Sequence, residues 1–184
     1  MITLGWRQVL LALAVFVLLA AGGGVAFIYS GIYDIAATEP HTRPVRWVMQ
    51  TTMEHSVKRR AANIEAPELG GDALIRRGFV HFRQECVYCH GAPGVAPEDL
   101  GLGLWPPAPP LVDAPRKWTS AELFWITKYG IKMTGMPAWR LTEDDEDLWA
   151  IVAFLEYMPN LSPRDYQAME QAVEMDERLG STPR

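Results

Sequence analysis

From Val9 to Tyr29 the chain runs twenty-one residues without a charge (VLLALAVFVLLAAGGGVAFIY). A stretch that is apolar on every face predicts a helix covered by lipid, and at 1.5 Å per residue it spans a hydrocarbon core of about 30 Å. A cleaved signal peptide is the rival, favoured by the short leading segment and the small residues Ala20 to Gly24. The apolar run nevertheless continues past the glycines to Ile32 and Tyr33, longer than an ordinary signal core, so its length predicts an uncleaved anchor over residues 1–33. Trp6, Tyr29 and Tyr33 are placed for the two interfaces. The pattern then changes period. Thr42-Arg43-Pro44 opens a helix in which Val45, Val48, Met49, Thr52, Met53 and Val57 recur at helical spacing, ending in Lys58-Arg59-Arg60. Three uses suit such a helix: an interfacial helix on anionic lipid, a docking helix for a larger membrane complex, or a spacer with a greasy side. Residues 61–71 (AANIEAPELGG) read as a short linker, so 34–71 form a juxtamembrane amphipathic helix and linker.

Further on, the periodicity predicts three helices. The first starts at Gly71-Asp72, with Leu74, Gly78, Phe82 and Cys86 on one face. A mid-helix glycine costs about 1 kcal/mol relative to Ala, so Gly78 implies close approach by another helix. The candidate is Thr142–Tyr157, with Thr142 as N-cap and Phe154 over the Gly78 notch beside Phe82. Its acidic start, Glu143 to Asp147, complements the helix dipole and reads as a solvated first turn with no ligand role. Between the two, Thr119-Ser120-Ala121-Glu122 forms a capping box for a helix through Phe124, Trp125, Ile126 and Tyr129, ending at Gly130. Residues 159–184 are a tail with one more helix from Ser162, Pro163 at its first position.

The chemistry lies in Cys86-Val87-Tyr88-Cys89-His90, which uses both cysteines of the chain. C-x-x-C-H is the attachment signature of a c-type haem: two thiols one turn apart add to two vinyl groups, and the histidine is carried under the iron. A thioredoxin-like redox pair would want a βαβ setting, and a structural zinc site a second ligand pair that His41, His55 and His81 do not supply. His81 falls off the 74/78/82 face, toward the surface. The proline-rich segment 91–118 has no clear period, and a loop of that length in a compact domain needs a function. Wrapped round a flat apolar cofactor, its Leu102, Leu104, Trp105 and Leu111 gain a surface to cover, and a carbonyl near Pro109 or Pro110 is placed to accept Nδ1–H of His90. For a sixth ligand, two methionines compete in Gly130–Trp139. Met136, between Gly135 and Pro137, is the preferred sulfur; Met133 follows the helix more closely and is expected to pack.

Charge divides unevenly. Residues 1–62 carry six Lys/Arg against three Asp/Glu, a balance of +3, and the remainder eleven against nineteen, a balance of −8. An acidic globular part argues for a protein partner and against nucleic acid. Arg7 and the N-terminal amine lie on one side of the span, and more basic residues begin at Arg43 on the other. Those lie well beyond the span, where the positive-inside rule weakens. Because thioether attachment takes place outside the bacterial cytoplasmic membrane, the domain is expected in the periplasm.

CVYCH, the Gly78/Phe82 pair, Gly135-Met136-Pro137 and an aromatic-bearing last helix resemble a class I c-type cytochrome, in the membrane-anchored monohaem form of bacterial respiratory chains. The likeness covers residues 72–158. It implies an all-α fold, three to four helices round one covalent haem c, preceded here by one N-terminal transmembrane helix. It implies Cys86 and Cys89 as thioethers, His90 as proximal and Met136 as distal ligand. One-electron transfer follows as the activity, with no catalytic residues, in a respiratory or dehydrogenase-linked chain on the periplasmic face of the inner membrane. Redox partners are then a terminal oxidase, a quinol-oxidising complex or a dehydrogenase. Two alternatives stay open: a haem enzyme or gas-responsive protein with a labile distal methionine, and a fixed electron-transfer subunit of an oxidase or dehydrogenase complex.

Overall fold

A computed structural model describes residues 5–180. The first four residues of the expected anchor, with the N-terminal amine, and the last four of the expected tail lie outside them. Chain contacts separate two compact units, residues 1–39 and 40–184. The first holds α1 (Trp6–Ser30), twenty-five residues of which none is buried by protein. Gly31, left-handed at φ 66°, closes it. The helix is long and apolar enough to cross a bilayer, which fits an anchor.

The second unit is all-helical, with no strand among the described residues. α2 (Arg43–Ala61) starts at the proline step expected for it, and its C-terminal half buries Val57 and Ala61 against the helix bundle. Its N-terminal half leaves Trp47 and Val48 exposed. α3 (Asp72–Glu85) buries Gly78, Phe79 and Phe82. α4 (Val87–His90), α5 (Asp99–Leu102) and α6 (Ala114–Lys117) are single turns. α7 (Ser120–Tyr129) begins at the predicted capping box, Thr119 with Glu122, and ends at Gly130 with φ 64°. α8 (Asp145–Tyr157) buries seven residues from Leu148 to Leu155, and α9 (Pro163–Arg178) follows a Ser162 cap.

The core sits where α3 crosses α8. A methyl group built at Gly78 would lie 1.8 Å from the Ala150 carbonyl oxygen, so only glycine permits the contact. Phe154 fills the space beside it, its ring 5.1 Å from Phe82 and 5.3 Å from Phe79. α9 adds Tyr166, 5.3 Å from Phe79, and ion pairs from Asp176 and Glu177 to Arg76 and Arg83 of α3.

Two local expectations are corrected. Asp144, not Thr142, caps α8: its carboxylate accepts the Asp147 N–H at 2.9 Å, while the Thr142 hydroxyl donates to the Trp139 carbonyl in the preceding 3₁₀ turn. An aspartate adds charge to the helix dipole, which a threonine does not, and the 3₁₀ turn had already claimed Thr142. Met133 does not pack. It stands 75% exposed, because a positive φ of 61° turns the chain outward there.

Candidate functional site

α3 ends where Cys86 donates its N–H to the Phe82 carbonyl at 2.9 Å, and α4 then carries Val87 to His90 through one turn. Cys89 and His90 both donate their N–H groups to the Cys86 carbonyl, at 3.2 and 3.0 Å, which sets the two cysteines and the histidine on a single turn. Both thiols are free. Cys86 is buried and Cys89 half-buried; burial, helped by the neighbouring Glu85, pushes the Cys86 thiol well above its ordinary value. Gly91, at φ 65°, turns the chain so tightly that a Cβ there would meet the Val95 carbonyl oxygen at 2.6 Å. The loop is thereby directed back across α4.

Its return is equally close. Glu98 donates its N–H to the Tyr88 carbonyl at 2.9 Å, and a Cβ on Gly101 would lie 2.7 Å from the Cys89 Cα. The loop next brings the Pro109 carbonyl within 2.7 Å of His90 Nδ1, the kind of partner the sequence pointed to. Nδ1 is occupied by that bond, leaving Nε2 as the nitrogen free to ligate. Burial holds the His90 pKa below its ordinary value, so the imidazole is neutral, the form that binds a metal. Beside His90 lies a cavity of about 270 Å³ whose walls include Val95, Pro110, Leu111, Met158 and Leu161.

The segment after α7 closes tightly on itself and meets the long loop at Leu104, without lining the cavity beside His90. Gly130 is pressed against the Met136 and Pro137 carbonyls, where a Cβ would sit 2.5 Å from Pro137 O. Ile131 donates its N–H to the Met136 carbonyl at 3.3 Å, and Met136 N–H donates to the Thr134 hydroxyl at 3.1 Å. Met136 is half-buried, held at the neck of this loop, and Gly135 packs directly on Leu104 of the long loop. Trp105 and Leu111 are half-buried, and Leu102 is 71% exposed.

These residues fit a covalently attached haem. Two unpaired thiols lie one turn apart, a neutral imidazole has one nitrogen tied back and one free, and the adjoining cavity is mostly apolar. His41 and His55 lie on or before α2, away from α4 in the chain. His81 is different. It is mostly covered rather than at the surface, and it faces Glu143 and Asp147 at the start of α8, a juxtaposition that sequence reasoning missed. The available signal was a pair of i, i+4 spacings, His81/Glu85 and Glu143/Asp147, on two helices already expected to cross.

Residues 73–155 match the family described as cytochrome C oxidase, cbb3-type, subunit III. The match supports a c-type cytochrome domain in this segment, an electron-transfer module that implies haem c, and the apolar α1 fits a membrane anchor for it. No curated protein matches the chain significantly. α2 and α9 fall outside the matched residues, although both pack onto the domain.

Proposed function

We propose that the chain carries one haem c, joined through Cys86 and Cys89, ligated by His90 and Met136, and passes single electrons on the periplasmic side of a bacterial inner membrane. The single observation that supports this most is His90: a neutral imidazole, its Nδ1 fixed by Pro109, directly follows two free thiols on one turn. When bound, the haem supplies reversible one-electron chemistry at its iron. The chain's residues do the rest. His90 and Met136 would both ligate the iron and so would leave no position for a substrate, and the methionine sulfur would favour the reduced iron. The loop of residues 91–118 and the Gly130–Pro137 neck would cover the group and exclude water from it. Residues 1–33 anchor the domain, 34–71 join it to the anchor, 72–158 hold the haem, and 159–184 are a tail that carries α9.

Among partners, the description of the matched family favours an oxidase assembly, in which this chain delivers electrons as a bound or loosely held subunit. A dehydrogenase or a quinol-oxidising complex is the other class of partner. The reading is tested by expression with a cytochrome c maturation system, followed by intact mass and spectroscopy. The expected mass is polypeptide plus one haem, and the expected ferrous protein is low-spin and indifferent to CO. Met136→Ala then binds CO, while Met133→Ala does not. An unmodified polypeptide mass overturns the haem, and a CO-avid native protein overturns Met136. Co-purification of an oxidase from native membranes in mild detergent supports the subunit role; its absence there leaves a free carrier.

A further inference from the structure

On the α3/α8 side of the domain four side chains converge: His81 and Glu85 of α3, the latter immediately before Cys86, Glu143 just before α8, and Asp147 in its first turn. His81 Nε2 lies 2.8 Å from Asp147 Oδ1, which turns the other ring nitrogen, Nδ1, to the two glutamates. Nδ1 is 3.1 Å from Glu143 Oε2 and 3.8 Å from Glu85 Oε1. Donor atoms of His81, Glu85 and Glu143 all lie within 4.8 Å of one another. Neither His81 Nδ1 nor Glu85 Oε2 touches solvent, and neither has a hydrogen-bond partner. Arg77, which reaches this corner, pairs with Asp147 and Glu146.

We propose that His81, Glu85 and Glu143 form a binding site for a borderline divalent cation of the zinc type, with Asp147 orienting the histidine.

The spacing supports it. Two ligands about 2.1 Å from a metal lie roughly 3.0 Å apart when at right angles and about 3.4 Å apart in a tetrahedron; the 3.1 Å from Nδ1 to Glu143 falls in that range, and Glu85, at 3.8 Å, closes in by a few tenths of an ångström on binding. One imidazole nitrogen and two carboxylates suit Zn²⁺ better than Mg²⁺, which takes oxygen donors and keeps its waters. The opposite ring nitrogen faces a carboxylate, as metal-bound histidines require for orientation. Three carboxyl groups beside one imidazole, mostly covered by protein, are a crowded arrangement in which Glu85 holds a proton that a cation would displace. The ion would clamp α3 to the start of α8, at the opposite end of the Gly78 contact from the helix C-terminus of α8. The inference stands independently of the haem ligation.

The test uses the full-length, haem-loaded protein in detergent, stripped with a chelator and titrated calorimetrically with ZnCl₂ at neutral pH. One zinc per chain is expected, with no competition from excess MgCl₂, and the same addition raises the melting temperature. Glu143→Gln and His81→Gln each lower the affinity by at least about tenfold, and Asp147→Asn by about tenfold. Glu143 precedes α8 and lies outside the hydrophobic core, and an unchanged haem spectrum checks that the variant keeps its fold. The inference is overturned if the wild-type protein takes up no zinc. It is equally overturned if Glu143→Gln and His81→Gln bind zinc as well as wild type, which would place the ion on His41 or His55.

Discussion

The α3–α8 crossing and the loop from Gly91 to Trp118 are made of opposite materials. At the crossing, protein covers protein: Phe79, Phe82, Leu148 and Phe154 are fully buried around a glycine that only a backbone can approach. In the loop, Val95, Leu100 and Leu102 remain exposed; Leu111, Val112 and Trp118 pack its end on the core, and backbone hydrogen bonds and close glycine contacts order the rest. The crossing is complete without a ligand. The loop and the Met136 neck have half-covered apolar surface for which a flat apolar cofactor is the natural complement. The comparison teaches where stability and function reside: one region holds the fold, and the other waits on chemistry.

Substitutions should separate the two. Phe154→Ala empties the centre of the crossing and should cost about 4 kcal/mol of unfolding free energy, measured by denaturant titration of the haem-loaded protein. Gly78→Ala drives a methyl into the Ala150 carbonyl and should cost about 3 kcal/mol, because helix backbones must part. Loss of haem ligation with the fold intact in either variant would erase the distinction. A pH effect belongs to the same side of the domain. Burial and the nearby Glu143 push the Glu85 carboxyl up to about 8. Between about pH 4.5 and 8 the folded chain therefore keeps a proton that the unfolded chain has released, and stability falls as pH rises through that window. Glu85→Gln in chelated buffer should flatten that slope; Glu143, His81 and Asp147 are the groups facing it. Thr119→Ala removes the α7 cap and should cost about 1 kcal/mol, read in the same denaturant series. Met133→Ala, at an exposed position, should change stability by less than about 0.5 kcal/mol.

Much of the fold was legible in residue order. The Thr119/Glu122 box, Pro44 and Pro163 near helix starts, and Gly130 at a helix end are local signals, each satisfied by neighbours within a few positions. Gly78 announced its partner helix because a mid-helix glycine has few other uses, and Phe154 was the large side chain at the right distance along α8. The 91–118 segment gave no such purchase. Its α5 turn and the Gly101 contact with Cys89 depend on the loop folding back on α4, which no short-range pattern encodes. Met133 was misplaced for a related reason: a non-glycine residue with positive φ breaks the helical continuation that periodicity assumes.

Sequence by itself determined that two thiols and an imidazole stand on one turn, that an apolar helix of membrane length precedes them, and which helices carry caps. These are consequences of bonding and of periods of a few residues. Tertiary structure alone decided that Pro109 holds His90 Nδ1, that α2 and α9 pack onto the domain, and that His81 meets Glu143 and Asp147. Those contacts join residues far apart in the chain, and their geometry exists only once the hydrophobic face of α3 has closed on α8.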